Sequence, residues 1–212
     1  MTKPYLDTKL TYIDNDKLID EFGNCVMMGW EKEWMKASAD VICRNGGHIL
    51  NIGFGLGIID TFIQEYKPDS HWIVEAHPDV YRKMLEDGWH KKDNVKIIFG
   101  KWQDVIHTLP SFDGIYFDTF KDSGIGDKLI PTLKTLLNPK GIFSYWEGKY
   151  KSYIDPELTD YLVKDFDYTF ETLKLKNVPS FKEQGGAYFN EDWDQCIIPI
   201  ITHKRETKRC LL

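Results

Sequence analysis

The feature that most constrains this chain is a strand-like apolar run that ends in closely spaced glycines and passes directly into a helical pattern. His48 to Gly53 reads as a buried strand. Gly53-Phe54-Gly55-Leu56-Gly57 follows as a turn, and Leu56 to Tyr66 then carries apolar residues at helical spacing. Glycines at such a junction permit a tight turn and close approach of backbone to a ligand at a helix N-terminus. The same alternation recurs down the chain. His71 to Glu75 reads as a second strand, Pro78 to Asp87 as a helix with proline at its start, and Val95 to Phe99 as a third strand. Trp102 to Leu109 reads as a short helix, Phe112 to Phe117 as strand four, and Lys128 to Leu137 as a helix. Asn138 to Gly141 is a turn into strand five, Ile142 to Trp146. A helix at Pro156 to Asp165 and strands at Tyr168 to Leu175 and Gln195 to Thr202 complete the pattern. Alternating elements of this kind predict an α/β fold, a Rossmann-like sheet of seven strands with helices on both faces.

Ahead of the first strand, Val26 to Arg44 reads as one helix with Met27, Trp30 and Trp34 on a shared face. Residues 1–25 read as an irregular leader or active-site lid, and 26–212 as the folded domain. At 212 residues one domain is the expected size, and seven Trp, eleven Tyr and twelve Phe give ample core material. The net charge of −6 excludes a polybasic membrane-surface protein, argues against nucleic acid as a partner and leaves room for a cationic one. Oligomerisation stays open. No run approaches the roughly 18 apolar residues of a membrane span. Cys25, Cys43, Cys196 and Cys210 show no C-x-x-C spacing and no His at ligand distance, so neither metal nor disulfide framework is expected. Reduced thiols suit a cytoplasmic protein. His203, Lys204, Arg205, Lys208 and Arg209 read as a solvated basic end, and Asn177 to Asp192 as the longest loop.

The glycine spacing is G-x-G-x-G rather than the dinucleotide G-x-G-x-x-G, which shifts weight from NAD. Glu75 falls about 20 residues further on at the end of the second strand, where a carboxylate can accept both ribose hydroxyls of NAD or of S-adenosylmethionine alike. Strand four ends at Asp118, an acid beside the sheet's switch point. The helix stop and turn before strand five resemble those of class I S-adenosylmethionine-dependent methyltransferases.

Within that class, Val26 to Met35, Leu50 to Gly57, His71 to Glu75, Gly100 to Asp104 and Phe112 to Thr119 resemble two related families. These are guanidinoacetate N-methyltransferase and the fungal protein arginine delta-N-methyltransferase. The likeness runs from about Tyr5 to Ile200. Tyr5 to Leu10 and Val26 to Met28 lean toward the arginine enzyme, although the chain has no room for that family's N-terminal ankyrin-like region.

The resemblance implies a cofactor, S-adenosylmethionine, with S-adenosylhomocysteine as product. Met27 and Met35 would line its pocket. Gly53, Phe54, Gly55, Leu56, Gly57 and Ile58 would hold its methionine portion and Glu75 its ribose, with Ala76 and His77 also among the cofactor-binding residues. Trp102 and Gln103 match an adenine-contacting pair, although relatives more often carry an acid at the second position. Glu31 and Asp118 match two acids that grip a substrate guanidinium, with Asp118 also bordering the cofactor. The stretch Ser144 to Lys149 departs from the guanidinoacetate enzyme: Gly148 and Lys149 stand where backbone and hydroxyl groups of that enzyme receive the substrate carboxylate. Lys149 either pairs with such a carboxylate or is solvated, and Glu147 adds an acid that suits a cationic peptide or an α-amino group.

A guanidinium is a planar fork of donors, protonated at neutral pH, and two carboxylates are its natural partners. If Glu31 and Asp118 hold the two terminal nitrogens, the internal nitrogen is left to accept the methyl group, with Asp118 taking the proton and Glu31 setting orientation. The expected activity is N-methylation of the internal guanidino nitrogen of arginine, free or in a peptide or protein, or of a small guanidine such as guanidinoacetate. Alternatives are a methyltransferase for an unrelated small molecule and a non-catalytic S-adenosylmethionine-binding protein. Glu31 also reads as a plain helix-face charge, Asp118 as a turn acid, and the Met and Trp residues as core.

Overall fold

The segment expected as an irregular leader instead contributes, from Leu10 onward, strands to a small antiparallel sheet. The computed structural model describes residues 3–14, 16–120, 125–147, 156–176, 178 and 195–204. A 3-10 turn at Tyr5–Asp7 precedes β1 (Leu10–Ile13), β2 (Lys17–Asp20) and β3 (Cys25–Met28), which pair in that order. The β2–β3 connection is built by the buried Asp20 carboxylate, which accepts the backbone N–H of Phe22 (3.0 Å) and Asn24 (2.8 Å) and the Asn24 side-chain amide (2.7 Å). Because β3 (Cys25–Met28) crosses the expected boundary between residues 25 and 26, the leader and Val26–Met28 form one unit.

The expected helix over Val26 to Arg44 is correspondingly shorter. Met27 pairs with Leu18 and Met28 with Lys17, so this stretch is extended, with Met28 at φ −135° and ψ 145°. Gly29 lies against Asp16, whose side chain would overlap any β-carbon there. After one 3-10 turn at Gly29–Glu31, α1 runs over Lys32–Ile42. Helical spacing of Met27, Trp30 and Trp34 is outweighed by non-local strand pairing.

The main domain follows the expected alternation. It comprises β4 (His48–Ile52), α2 (Ile58–Glu65), β5 (Ser70–Glu75), α3 (Pro78–Glu86), β6 (Val95–Phe99), α4 (Trp102–Val105) and β7 (Phe112–Phe117). It continues with α5 (Ile130–Leu136), β8 (Leu137–Tyr145), α6 (Pro156–Asp165), β9 (Phe166–Lys174) and β10 (Gln195–His203). α4 is shorter than expected because the chain tightens into a 3-10 turn at Ile106–Thr108. The turn expected at Asn138 to Gly141 lies inside β8 as a bulge, where pairing jumps from Phe112–Leu137 to Gly114–Ile142. Of Asn177 to Asp192 only Val178, packed against the first core, is described, and Arg205, Lys208, Arg209 and Cys210 lie outside the described residues.

The seven-stranded sheet has the order β6-β5-β4-β7-β8-β10-β9. Its first five strands are parallel, and β10 runs antiparallel to both its neighbours. Alternation along the strands divides the interior in two. Ile49, Ile73, Tyr116 and Ile142 face a core with Trp34, Met35, Ile59 and Ile63. Leu50, Ile52, Ile115, Phe117 and Phe143 face the other, with Trp102, Leu133 and Leu162. α1 lies so close on the sheet that a β-carbon at Gly114 would overlap the Ile42 carbonyl oxygen. Successive strands leave β4 first to one side and then, through β7, to the other. A crevice therefore opens at the carboxyl ends of β4 and β7, the general location of ligand sites in open α/β sheets.

Candidate active site

The glycine turn is shaped by close approach on three sides. Gly53 (φ +97°) donates its N–H to the Val74 carbonyl (2.9 Å), and the Asp118 N–H donates to the Ile52 carbonyl (2.9 Å). A β-carbon at Gly53 would overlap the Asp118 carbonyl oxygen, so only glycine lets the ends of β4 and β7 meet here. From the other side β3 rests on the turn: the Leu56 N–H points at Met27 Sδ (3.3 Å). The Tyr12 hydroxyl donates to the Gly55 carbonyl (3.4 Å), and the Leu10 N–H to Asp79 (2.9 Å).

Behind the turn lies a buried polar group that sequence reasoning missed. Asn51 Nδ2 donates to the Asp60 carboxylate (2.9 Å) and to the Gly53 carbonyl (2.8 Å). His71 meets the same carboxylate (3.0 Å) and, at its other nitrogen, Gln64 (3.0 Å). These contacts tie the end of β4 to α2 and β5. The available signal was Asn51, a polar residue inside an otherwise apolar strand.

Glu75 closes β5, 7% exposed, with one oxygen accepting the Phe54 N–H (2.9 Å) and the other the His77 N–H (2.6 Å). Burial pushes its pKa up, while the backbone N–H groups of His77, Phe54, Ala76 and Gly55 pull it back. The His77 ring is engaged by protein on both nitrogens: Nδ1 accepts the Asp79 N–H (3.1 Å) as the cap of α3, and Nε2 faces the Thr8 carbonyl (3.1 Å). Burial lowers its pKa, consistent with a neutral ring carrying its proton on Nε2. What Ala76 and His77 offer a ligand is therefore backbone. Trp102 is buried edge-on against Phe117 (centroids 5.5 Å apart), with half-buried Gln103 beside it in α4, and Phe54 packs edge-on against Trp89 (5.2 Å). Ile58 is the first residue of α2.

Across the crevice, Glu31 is 4% exposed. Its Oε1 accepts the Met28 N–H (3.0 Å) and its Oε2 the indole N–H of Trp146 (3.1 Å). Burial and the negative charge of Asp118 push Glu31 up to about 8, against the pull of those two donors. Asp118 retains partial solvent access, yet enough protein surrounds its carboxyl that burial pushes it up to about 7. Among the described residues, Glu31, Asp118 and Glu75 have no ion-pair partner. The Tyr116 phenol, acted on by the charges of both Asp118 and Glu31, approaches the sulfur of buried Met35 (3.8 Å). Tyr5 spans the opening, its ring 4.9 Å from that of His77 and 5.0 Å from that of Phe120. Burial, followed by Glu75 and more weakly Asp118, raises its phenol pKa.

Glu147 is buried, and its charge acts on the phenols of Tyr145 and Tyr168, which belong to the second core. Gly148 and Lys149 lie outside the described residues. Also among the described residues, no group of three or more His, Cys, Asp or Glu could hold a metal ion, and no helix is long and apolar enough to cross a membrane.

A seven-stranded sheet of this order, with a glycine turn before α2 and a buried acid ending β5, is the fold of class I S-adenosylmethionine-dependent methyltransferases. Human methyltransferase-like protein 13, solved in complex with SAH, shares it with a TM-score of 0.57 at 14% identity, over 84% of this chain and 83% of that one. The family model for guanidinoacetate N-methyltransferase matches residues 2–154, and the chain belongs to that family. It is 40% identical over 207 residues to protein arginine N-methyltransferase 2 of Candida glabrata, and 40% over 208 residues to that of Saccharomyces cerevisiae. Each alignment covers 88% of this chain and 50% of the relative, so the chain spans about half the length of these curated relatives.

Proposed function

We propose that this chain transfers a methyl group from S-adenosylmethionine to the internal, alkyl-bearing nitrogen of a guanidino group, in arginine (free, peptide or protein) or in a small guanidine such as guanidinoacetate. The observation that carries this reading is the pair Glu31 and Asp118: two enclosed acids, electrostatically coupled, without a cation of the protein's own among the described residues. Family membership and the names of the fungal relatives support it.

The residues present fit the cofactor. Gly53, Gly55 and Gly57 all have positive φ, which lets the chain turn tightly ahead of the N-terminus of α2, and Glu75 at the end of β5 would take the ribose. Met27, Met35 and Tyr5 would exclude water around it, and the β1–β3 sheet would act as the lid. Trp102 and Gln103 would border the adenine. When bound, S-adenosylmethionine supplies an electrophilic methyl group on a sulfonium.

Glu31 and Asp118 then act on the substrate. An arriving guanidinium returns both acids to their charged forms, because an adjacent cation lowers a carboxyl pKa. Each accepts from a terminal nitrogen, which leaves the internal nitrogen facing the methyl donor. Positioning of this kind supplies much of the acceleration in a displacement. The proton displaced from the internal nitrogen as the C–N bond forms and the C–S bond breaks passes to the Asp118 carboxylate, at the switch point of the sheet. Gly148 and Lys149 remain candidates for the far end of the substrate, whereas the Glu147 carboxyl is engaged with the phenols of Tyr145 and Tyr168. The buried free cysteines Cys25, Cys43 and Cys196 suit a reducing, cytoplasmic setting.

The test is incubation with methyl-deuterated S-adenosylmethionine and a panel of arginine, guanidinoacetate and arginine peptides, read by fragmentation mass spectrometry. Label on the internal nitrogen is expected. Label on a terminal nitrogen refutes the clamp, and transfer to none of the panel refutes the function.

A further inference from the structure

Glu31 is held by two donors of different kinds. The Met28 N–H is local, three residues away, and engages only Oε1. The Trp146 indole comes from the far end of β8, 115 residues away in sequence, and engages Oε2. Trp146 is itself fixed twice. Its backbone N–H donates to the Phe117 carbonyl (3.0 Å), which pins it beside the residue preceding Asp118. Its ring stacks on Trp34 of α1, with centroids 5.3 Å apart and planes at 24°. One side chain thus links β8, the end of β7 and the helix that follows Glu31.

From this placement, and resting on the function proposed above, we infer that Trp146 is a positioning residue: its indole N–H holds the Glu31 carboxyl in the orientation and charge state needed to receive a guanidinium opposite Asp118. The physical basis is the one-way character of the donor. An indole N–H can only donate, so it stabilises an accepting carboxylate and cannot accept from a protonated carboxyl. Burial and Asp118 both work against the charged form of Glu31, and the Met28 and Trp146 donors work for it. Asp118 is the charged group acting on Glu31 from the end of β7. The other titratable group facing it from that strand, the Tyr116 phenol, is kept neutral by burial. Trp146 is therefore a strong lever on whether the clamp presents one negative charge or two.

The test separates the hydrogen bond from the packing. Trp146→Phe retains a ring against Trp34 but removes the donor, whereas Trp34→Phe alters the same stack and leaves the donor in place. The titration of Glu31 is followed by carbon-13 NMR of carboxyl-labelled glutamate in the full chain, with the resonance assigned by its loss in Glu31→Gln. A hydrogen bond to a charged group is worth about tenfold or more in an equilibrium, so Trp146→Phe is expected to raise the Glu31 midpoint by about one pH unit. Trp34→Phe should leave it unmoved. In parallel, KM for the guanidino substrate at pH 7 should rise about tenfold in Trp146→Phe, with S-adenosylmethionine affinity unchanged. An unmoved midpoint in Trp146→Phe, or an equal shift in Trp34→Phe, overturns the assignment. Wild-type chain that methylates no guanidine would overturn the proposed function alone, because the effect on Glu31 is read without substrate.

Discussion

Asp118→Asn isolates the chemistry of the clamp from its architecture. The Asp118 backbone carries structure: its N–H pairs with the Ile52 carbonyl, and its own carbonyl packs against Gly53. Asparagine keeps both contacts and the side-chain shape while removing charge and basicity. Two losses follow. Without a base at the internal nitrogen, kcat should fall by about 10²–10⁴-fold, the usual worth of a positioned general base. Without the negative charge, a charge-assisted bond of about 1.5–3 kcal/mol is weakened, which corresponds to a rise in KM of up to about 10- to 150-fold. The Glu31 midpoint should also fall below its wild-type value of about 8, because the Asp118 charge is the second cause of its elevation, while burial keeps it above an ordinary glutamate. The assay is steady-state methyl transfer to the best guanidine of the panel, with S-adenosylmethionine binding measured by calorimetry in both proteins. Cofactor affinity within a few-fold of wild type, together with collapsed turnover, is the expected pair of results. Turnover within about tenfold of wild type would refute Asp118 as the base.

Two further outcomes follow from the same geometry. Gly53→Ala forces a β-carbon onto the Asp118 carbonyl oxygen at a residue with φ +97°. It should cost about 2–4 kcal/mol in denaturant unfolding, from backbone strain plus overpacking, and an unchanged midpoint would contradict the close approach of β4 and β7. Asp118 is raised from an ordinary 3.8 to about 7 in the folded chain, so between those values the native state keeps a proton that the unfolded state has released. Its contribution to stability therefore falls as pH rises through that window. Ligand-free Asp118→Asn should gain stability relative to wild type between pH 4 and about 7, and a difference that stays flat with pH would sink the assignment of a raised pKa.

How much of the site was legible beforehand depends on how local each interaction is. The glycine turn, Glu75 and Asp118 announce themselves because they sit where a strand stops, and a strand end is read from short-range alternation. The start of α1 was misplaced because Met27, Trp30 and Trp34 satisfy helical spacing equally well. Only the pairing of Met27 with Leu18, across the β2–β3 connection, decides that Val26–Met28 is extended. His77 follows Glu75 directly and so invited a ligand role, yet its ring is used by Thr8 and Asp79, the first of them 69 residues away in sequence. The Asn51–Asp60–His71 group left almost no trace, since each member is unremarkable in its own segment and acquires meaning only when β4, α2 and β5 bring them together.

The sequence by itself determined the alternation of strands and helices, the position of the sheet's switch point and the residue types available there, because periodicity and glycine backbone freedom act over a few neighbours. Tertiary structure alone decided the electrostatics. Glu31 and Asp118 are ordinary acids in an extended chain. They become a coupled pair with elevated pKa values only when α1 is laid against the ends of β7 and β8, because desolvation and coupling depend on what surrounds a carboxyl in space. The indole that steadies one of them arrives from 115 residues away.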